Sequence, residues 1–125
     1  MNTSEKRFDL EERFLQFARL VAMYVNNTPK SIVNNEYCRQ IVRSSSSIGA
    51  NYMEAREAAS GKDFVHKIKL AKKEARETRY WLQLLIPGPI QTKDRDILLQ
   101  ESLEILKILS VICAKVQAKE TASKS

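Results

Sequence analysis

Lys62, Lys69, Lys72, Lys73, Arg76 and Arg79 recur at spacings that a helix gathers into one sector of roughly 120°, with Tyr80 at its edge. Residues 62–90 hold seven Lys or Arg against three Asp or Glu, so most of the chain's net charge of +6 belongs to this segment. A row of cations beside an aromatic ring is chemistry suited to phosphate backbones. Clustered positive charge releases condensed counterions, and a ring offers an unpaired base a stacking surface. RNA, DNA or an acidic protein would each satisfy the pattern, and a solvated helix face is the plainer reading of any charge run.

A second constellation lies on either side of Ser60 and Gly61. If the flanking helices are antiparallel about that turn, residues equally far from it lie level. Glu54 then meets Lys67, and Arg43 comes near Glu74 or Glu77. Arg43, Ser47 and Glu54 share one flank of the second helix, while Lys67, Glu74, Glu77 and Trp81 share one flank of the third. The structural reading is a set of interhelix ion pairs fixing register, and the functional one is a polar site. Asn51, on the seam of the second helix, reads as a register-setting hydrogen-bond partner.

Residues for covalent or metal chemistry are sparse. The single histidine, His66, stands in D-x-x-H with Asp63, where a di-metal bundle needs such a pair repeated on a second helix, and it falls on the polar side of its helix. No Gly-rich phosphate loop and no nucleophile motif occurs. Cys38 and Cys113 have no metal-type spacing and read as reduced, small apolar residues of a cytoplasmic protein. The expectation is a non-enzyme with no metal, no cofactor and no catalytic residue.

The elements that position these residues follow from hydrophobic period and breakers. A chain of 125 residues with only three Gly and three Pro has the length of one domain and the composition of a helical one. Leu10, Phe14, Phe17, Val21 and Tyr24 alternate spacings of four and three, giving a first helix from about Asp9 to Asn26. Pro29 breaks it, and Asn34 or Asn35 can cap a second helix running to about 59. Its face of Tyr37, Ile41, Ser44, Ile48, Asn51 and Ala55 is small and polar for a core, and four consecutive serines raise the alternative of a low-complexity linker. The apolar period runs straight through them, so a helix with a closely approaching neighbour is expected.

Ser60 and Asp63 form a capping-box-like pair opening the third helix, whose seam is Phe64, Ile68, Ala71, Ala75, Thr78, Leu82 and Leu85. It stops at Ile86 before Pro87, Gly88 and Pro89. Thr92 caps the fourth, which runs to about Ala118 and leaves residues 119–125 as a disordered tail. Four similar helices on short links make an all-α, antiparallel up-down four-helix bundle over residues 1–118.

The fourth helix carries two apolar stripes side by side, Leu98, Ile105, Leu109, Ile112 and Val116 next to Leu99, Leu103, Leu106 and Cys113. So wide an arc wants a second cover, which an oligomer would supply. Glu101, Glu104, Lys107 and Lys115 interrupt it too often for a membrane span, and MNTSEKRFDLEERF lacks the apolar run of a secretory signal.

Two stretches, R-S-x-x-S-I-G-A-N-Y-x-E-A from Arg43 to Ala55 and K-E-A-R-E-T-x-Y-W-L from Lys73 to Leu82, resemble the bacterial proteins named after reading frames in intervening sequences of large-subunit ribosomal RNA genes. The resemblance runs from about Phe8 to Val116. It implies an up-down four-helix bundle, commonly a ring of five subunits, and no established biochemical activity. An accessory protein of diversity-generating retroelements is similar in fold, and the resemblance to it implies a partner of reverse transcriptase and nucleic acid. Residues and resemblance together lead to a homo-oligomer binding nucleic acid, RNA favoured, through Lys62, Lys69, Lys72, Lys73, Arg76, Arg79 and Tyr80. The alternative is a protein-interaction scaffold, or a reverse-transcriptase accessory-type subunit, with no direct RNA role.

Overall fold

Proline-bearing links and capping side chains cut the chain into four helices: α1 (Thr3–Asn26), α2 (Ile32–Arg56), α3 (Gly61–Leu84) and α4 (Thr92–Ser123). This computed structural model describes residues 3–89 and 91–123, with side chains from Asp9 onward, and no strand occurs among the described residues. Each helix packs on its neighbours in chain order and α4 closes on α1, which makes the bundle up-down. Contacts pair the start of one helix with the end of its neighbour: Glu11–Arg56 with Val25–Cys38, Arg43–Glu77 with Glu54–Lys67, Arg79–Ser102 with Gly61 beside Glu120, and Arg13–Glu101 with Tyr24–Gln91, so every one of these neighbours is antiparallel.

The core is the merged seams. Phe14, Phe17 and Val21 of α1, Ile41 and Ile48 of α2, Ile68 and Leu82 of α3, and Ile105 and Leu109 of α4 are essentially closed to solvent. Burying each such side chain is worth about 1.5–3 kcal/mol. Phe14 meets Tyr52 edge-on with ring centroids 5.1 Å apart. The α2–α3 contact is the most extensive in the bundle because Ser44, Ser45, Ala71 and Ala75 are small and fully buried. Where the two backbones come close, the Thr78 hydroxyl donates to the Ser44 Oγ at 2.8 Å, so the polar seam residues satisfy each other. The serine run is helix throughout.

Several boundaries differ from the sequence expectation. The α1 helix begins at Thr3, six residues before Asp9, where Glu5, Lys6 and Arg7 are good helix formers. Ser31, and neither Asn34 nor Asn35, caps α2, its Oγ accepting from the Asn34 N–H at 3.0 Å, and the helix ends at Arg56. Ser60 caps α3, accepting from the Asp63 N–H at 3.1 Å, and α3 ends at Leu84.

Thr92 is the first residue of α4 and does not cap it. Gln91 holds the turn instead, its backbone carbonyl accepting from Arg95 N–H and its side-chain Oε1 from Gly88 N–H. The segment expected to be a disordered tail is helical from Lys119 to Ser123, because Lys, Glu and Ala favour helix and Glu120 lies over Gly61. Residues 124–125 of that tail lie outside the described residues.

Candidate nucleic-acid interface on the third helix

Lys62, Lys69, Lys73, Arg76 and Tyr80 are exposed along the outer side of α3, and Lys72 is half-buried beside them. At 1.5 Å rise per residue, Lys62 to Tyr80 span about 27 Å. Among the described residues no ion pair involves Lys62, Lys69, Lys72, Lys73 or Arg76. Their charge is therefore presented to solvent.

The carboxylates of α3 are drawn to the other side. Arg43 of α2 forks between Glu74 Oε2 at 3.1 Å and Glu77 Oε2 at 2.9 Å. Lys67 Nζ reaches Glu54 at 3.1 Å. The hydrogen bond to Glu77 holds the Arg43 guanidinium above its ordinary value, while burial of Glu74 between the helices raises its carboxyl against the pull of Arg43. This separation of acidic and basic flanks leaves the column cationic over its middle.

Two of the sequence-selected residues do something different. Arg79 is half-buried and turned toward α4, where it donates to the Leu99 carbonyl and, at 3.2 Å, to the Ser102 hydroxyl. It ties α3 to α4 and is not free for a ligand, because on the rotation of α3 it lies nearest that neighbour. Asn51 donates to the Ser47 carbonyl of its own helix at 2.9 Å, so it sets no interhelix register. A mid-helix amide has an acceptor one turn back and takes it.

At its upper end the column meets a ring cluster. Tyr80 packs edge-on against Trp81 with centroids 5.3 Å apart and planes at 70°. Trp81 in turn lies 5.9 Å from Tyr37 of α2. Sequence reasoning placed Tyr37 in the α2 seam and Trp81 on the ion-pair flank without joining them. The register that sets Arg43 opposite Glu77 also sets Tyr37 level with Trp81, so the signal was present.

At the lower end, Lys62 and Lys69 share a shallow groove with Val65, His66, Gln117 and Glu120, where Glu120 brings in one negative charge. On the other side of His66, Glu11, Glu54, Glu57 and Asp63 line an acidic groove with Lys67. Among the described residues no three His, Cys, Asp or Glu converge as a metal site, and no helix is long and apolar enough to cross a membrane.

The comparisons with known proteins agree on one family. A sequence profile described as 23S rRNA-intervening sequence protein matches residues 6–111. A solved structure from Bacteroides thetaiotaomicron, described as a protein with unknown function from the S23 ribosomal protein family, is 40% identical and superposes with a TM-score of 0.69. The match covers 82% of this chain and 96% of that one. None of the curated proteins matches the sequence.

Proposed function

The chain belongs to the 23S rRNA-intervening sequence protein family, and we propose that it acts as a non-enzymatic, cytoplasmic homo-oligomer that binds nucleic acid, RNA in preference, through the basic face of α3. The observation that carries this reading is the segregation of charge on that helix. Lys69, Lys73 and Arg76 are exposed without ion-pair partners among the described residues, while Glu74 and Glu77 are engaged by Arg43 on the flank that faces α2. Binding is through phosphates and depends on salt, since each neutralised phosphate releases a condensed counterion. No cofactor, metal or membrane enters the mechanism. A ring of subunits, five by resemblance, repeats the face and raises avidity without a strong single site.

The test is a charge reversal of Lys69, Lys72, Lys73 and Arg76 to Glu, with the helical circular dichroism checked first. Titration of labelled RNA is expected to show binding weakened by roughly a hundredfold or more at low salt. A folded variant with unchanged affinity sinks the reading and moves the face to the scaffold alternative, in which it meets an acidic protein.

A further inference from the structure

The column of cations ends in aromatic rings, and the two features together select one kind of nucleic acid. Resting on the nucleic-acid reading above, we infer that Tyr80, backed by Trp81 and Tyr37, is a stacking platform for an unpaired base, so that the face prefers a single strand to a duplex.

Tyr80 is 57% exposed, yet its ring is braced edge-on by Trp81, which is itself braced by Tyr37. A braced ring surrenders little rotamer freedom on binding and keeps a face open to solvent. Trp81 and Tyr37 pack against the core from α3 and α2, so the platform is anchored in the most extensive helix contact of the bundle. A solvated tyrosine with no recognition role would need no such support.

The spacing fits a strand. Arg76 and Lys73 precede Tyr80 by about 6 Å and 10 Å along the helix axis. A strand advances about 3.4 Å per nucleotide when stacked and further when extended, so phosphates one to three nucleotides from a base on Tyr80 reach these two cations. In a duplex both faces of every internal base are already covered, and a ring on the convex side of a helix cannot enter the stack. The cations serve either form, but the ring serves only an unpaired base.

Trp81, the chain's single tryptophan, reports directly on its ring neighbour. The experiment uses the full chain with an unstructured RNA of roughly a dozen nucleotides and the same sequence as a duplex. Anisotropy of the labelled RNA and intrinsic Trp81 fluorescence are read together for wild type, Tyr80→Ala, Tyr80→Phe and Lys73→Ala/Arg76→Ala.

Expected are perturbed Trp81 emission on adding the single strand, about tenfold or greater loss of single-strand affinity for Tyr80→Ala, near wild-type affinity for Tyr80→Phe, and duplex affinity changed less than about twofold by either. The Lys73→Ala/Arg76→Ala pair is expected to weaken both forms. Unchanged single-strand affinity for Tyr80→Ala, or an equal loss on single strand and duplex, overturns the stacking platform while leaving the basic face intact. If wild type binds neither form, the nucleic-acid reading falls and the platform falls with it.

Discussion

Asn34 is 2% exposed and spends its whole side chain on the backbone of two loops. Its Nδ2 donates to the Pro29 and Ile86 carbonyls, both at 2.9 Å, and its Oδ1 accepts from the Ile86 N–H at 3.1 Å. Replacing Asn34 by Ala strands those loop groups, and chemical denaturation is expected to show a loss of about 2–4 kcal/mol, because unmade buried hydrogen bonds cost more than made ones contribute. A loss within about 0.5 kcal/mol would mean that water takes over the role. The sequence offered Asn34 as a helix cap; only the approach of residues 86–88 to the start of α2, a contact between distant segments, makes it a stitch.

Glu74 permits a prediction with a definite sign. Its folded-state carboxyl lies above the ordinary value of 4.5, burial being the leading cause. Such a group binds its proton more tightly when folded. It therefore favours folding below its unfolded value, and that contribution is lost as pH rises through the folded value. The stability of wild type relative to Glu74→Gln is thus expected to fall in thermal unfolding as pH rises above the ordinary carboxyl value. A relative stability that rises over the same range would show Arg43 outweighing burial.

At the scale of the element, seams and register were legible, because a 3.6-residue period and a capped turn at Ser60 determine which faces meet. The same counting from Ser60 sets the opposed pairs Glu54–Lys67 and Arg43–Glu77. Caps and ends were less legible, since Ser31, Asn34 and Asn35 are all competent caps and the choice depends on what the unused side chains find elsewhere. Nor could period alone show that Arg79, one residue from Tyr80, turns to α4.

Gly49 carries an element-scale prediction. It sits inside α2, and a Cβ there would lie 3.4 Å from Phe14 Cβ, an ordinary contact. Gly in a helix interior costs about 0.8–1 kcal/mol relative to Ala, so Gly49→Ala is expected to stabilise the bundle by a few tenths to about 1 kcal/mol. A destabilised variant would show that α1 and α2 cannot yield even slightly at this crossing.

Over the whole molecule, one patch of uncovered apolar surface lies where α1 and α4 meet. Leu20, Met23 and Ile97 are 48%, 63% and 54% exposed, and they line one groove with Tyr24, Leu98 and Asn27. None of the residues in the two α4 stripes is exposed, and Leu99, Leu106, Ile112 and Val116 pack against the core, so much of the second cover expected for them is supplied within the bundle; the exposed Ile97 belongs to neither stripe, and Leu20 and Met23 lie off the α1 seam. The proposed oligomer would use such a groove, which holds none of the α3 cations, as its contact between copies.

Leu20→Glu combined with Ile97→Glu places like charges across that groove without touching a fully buried side chain, so the helical signal should persist. Light scattering is then expected to report a fall from the assembled mass to that of the 14.4 kDa monomer. If avidity multiplies a weak basic face, the same variant should keep a similar salt slope per bound strand yet lose roughly tenfold or more in apparent RNA affinity. A variant that stays assembled places the interface elsewhere, and one that becomes monomeric with full affinity makes each α3 face sufficient by itself.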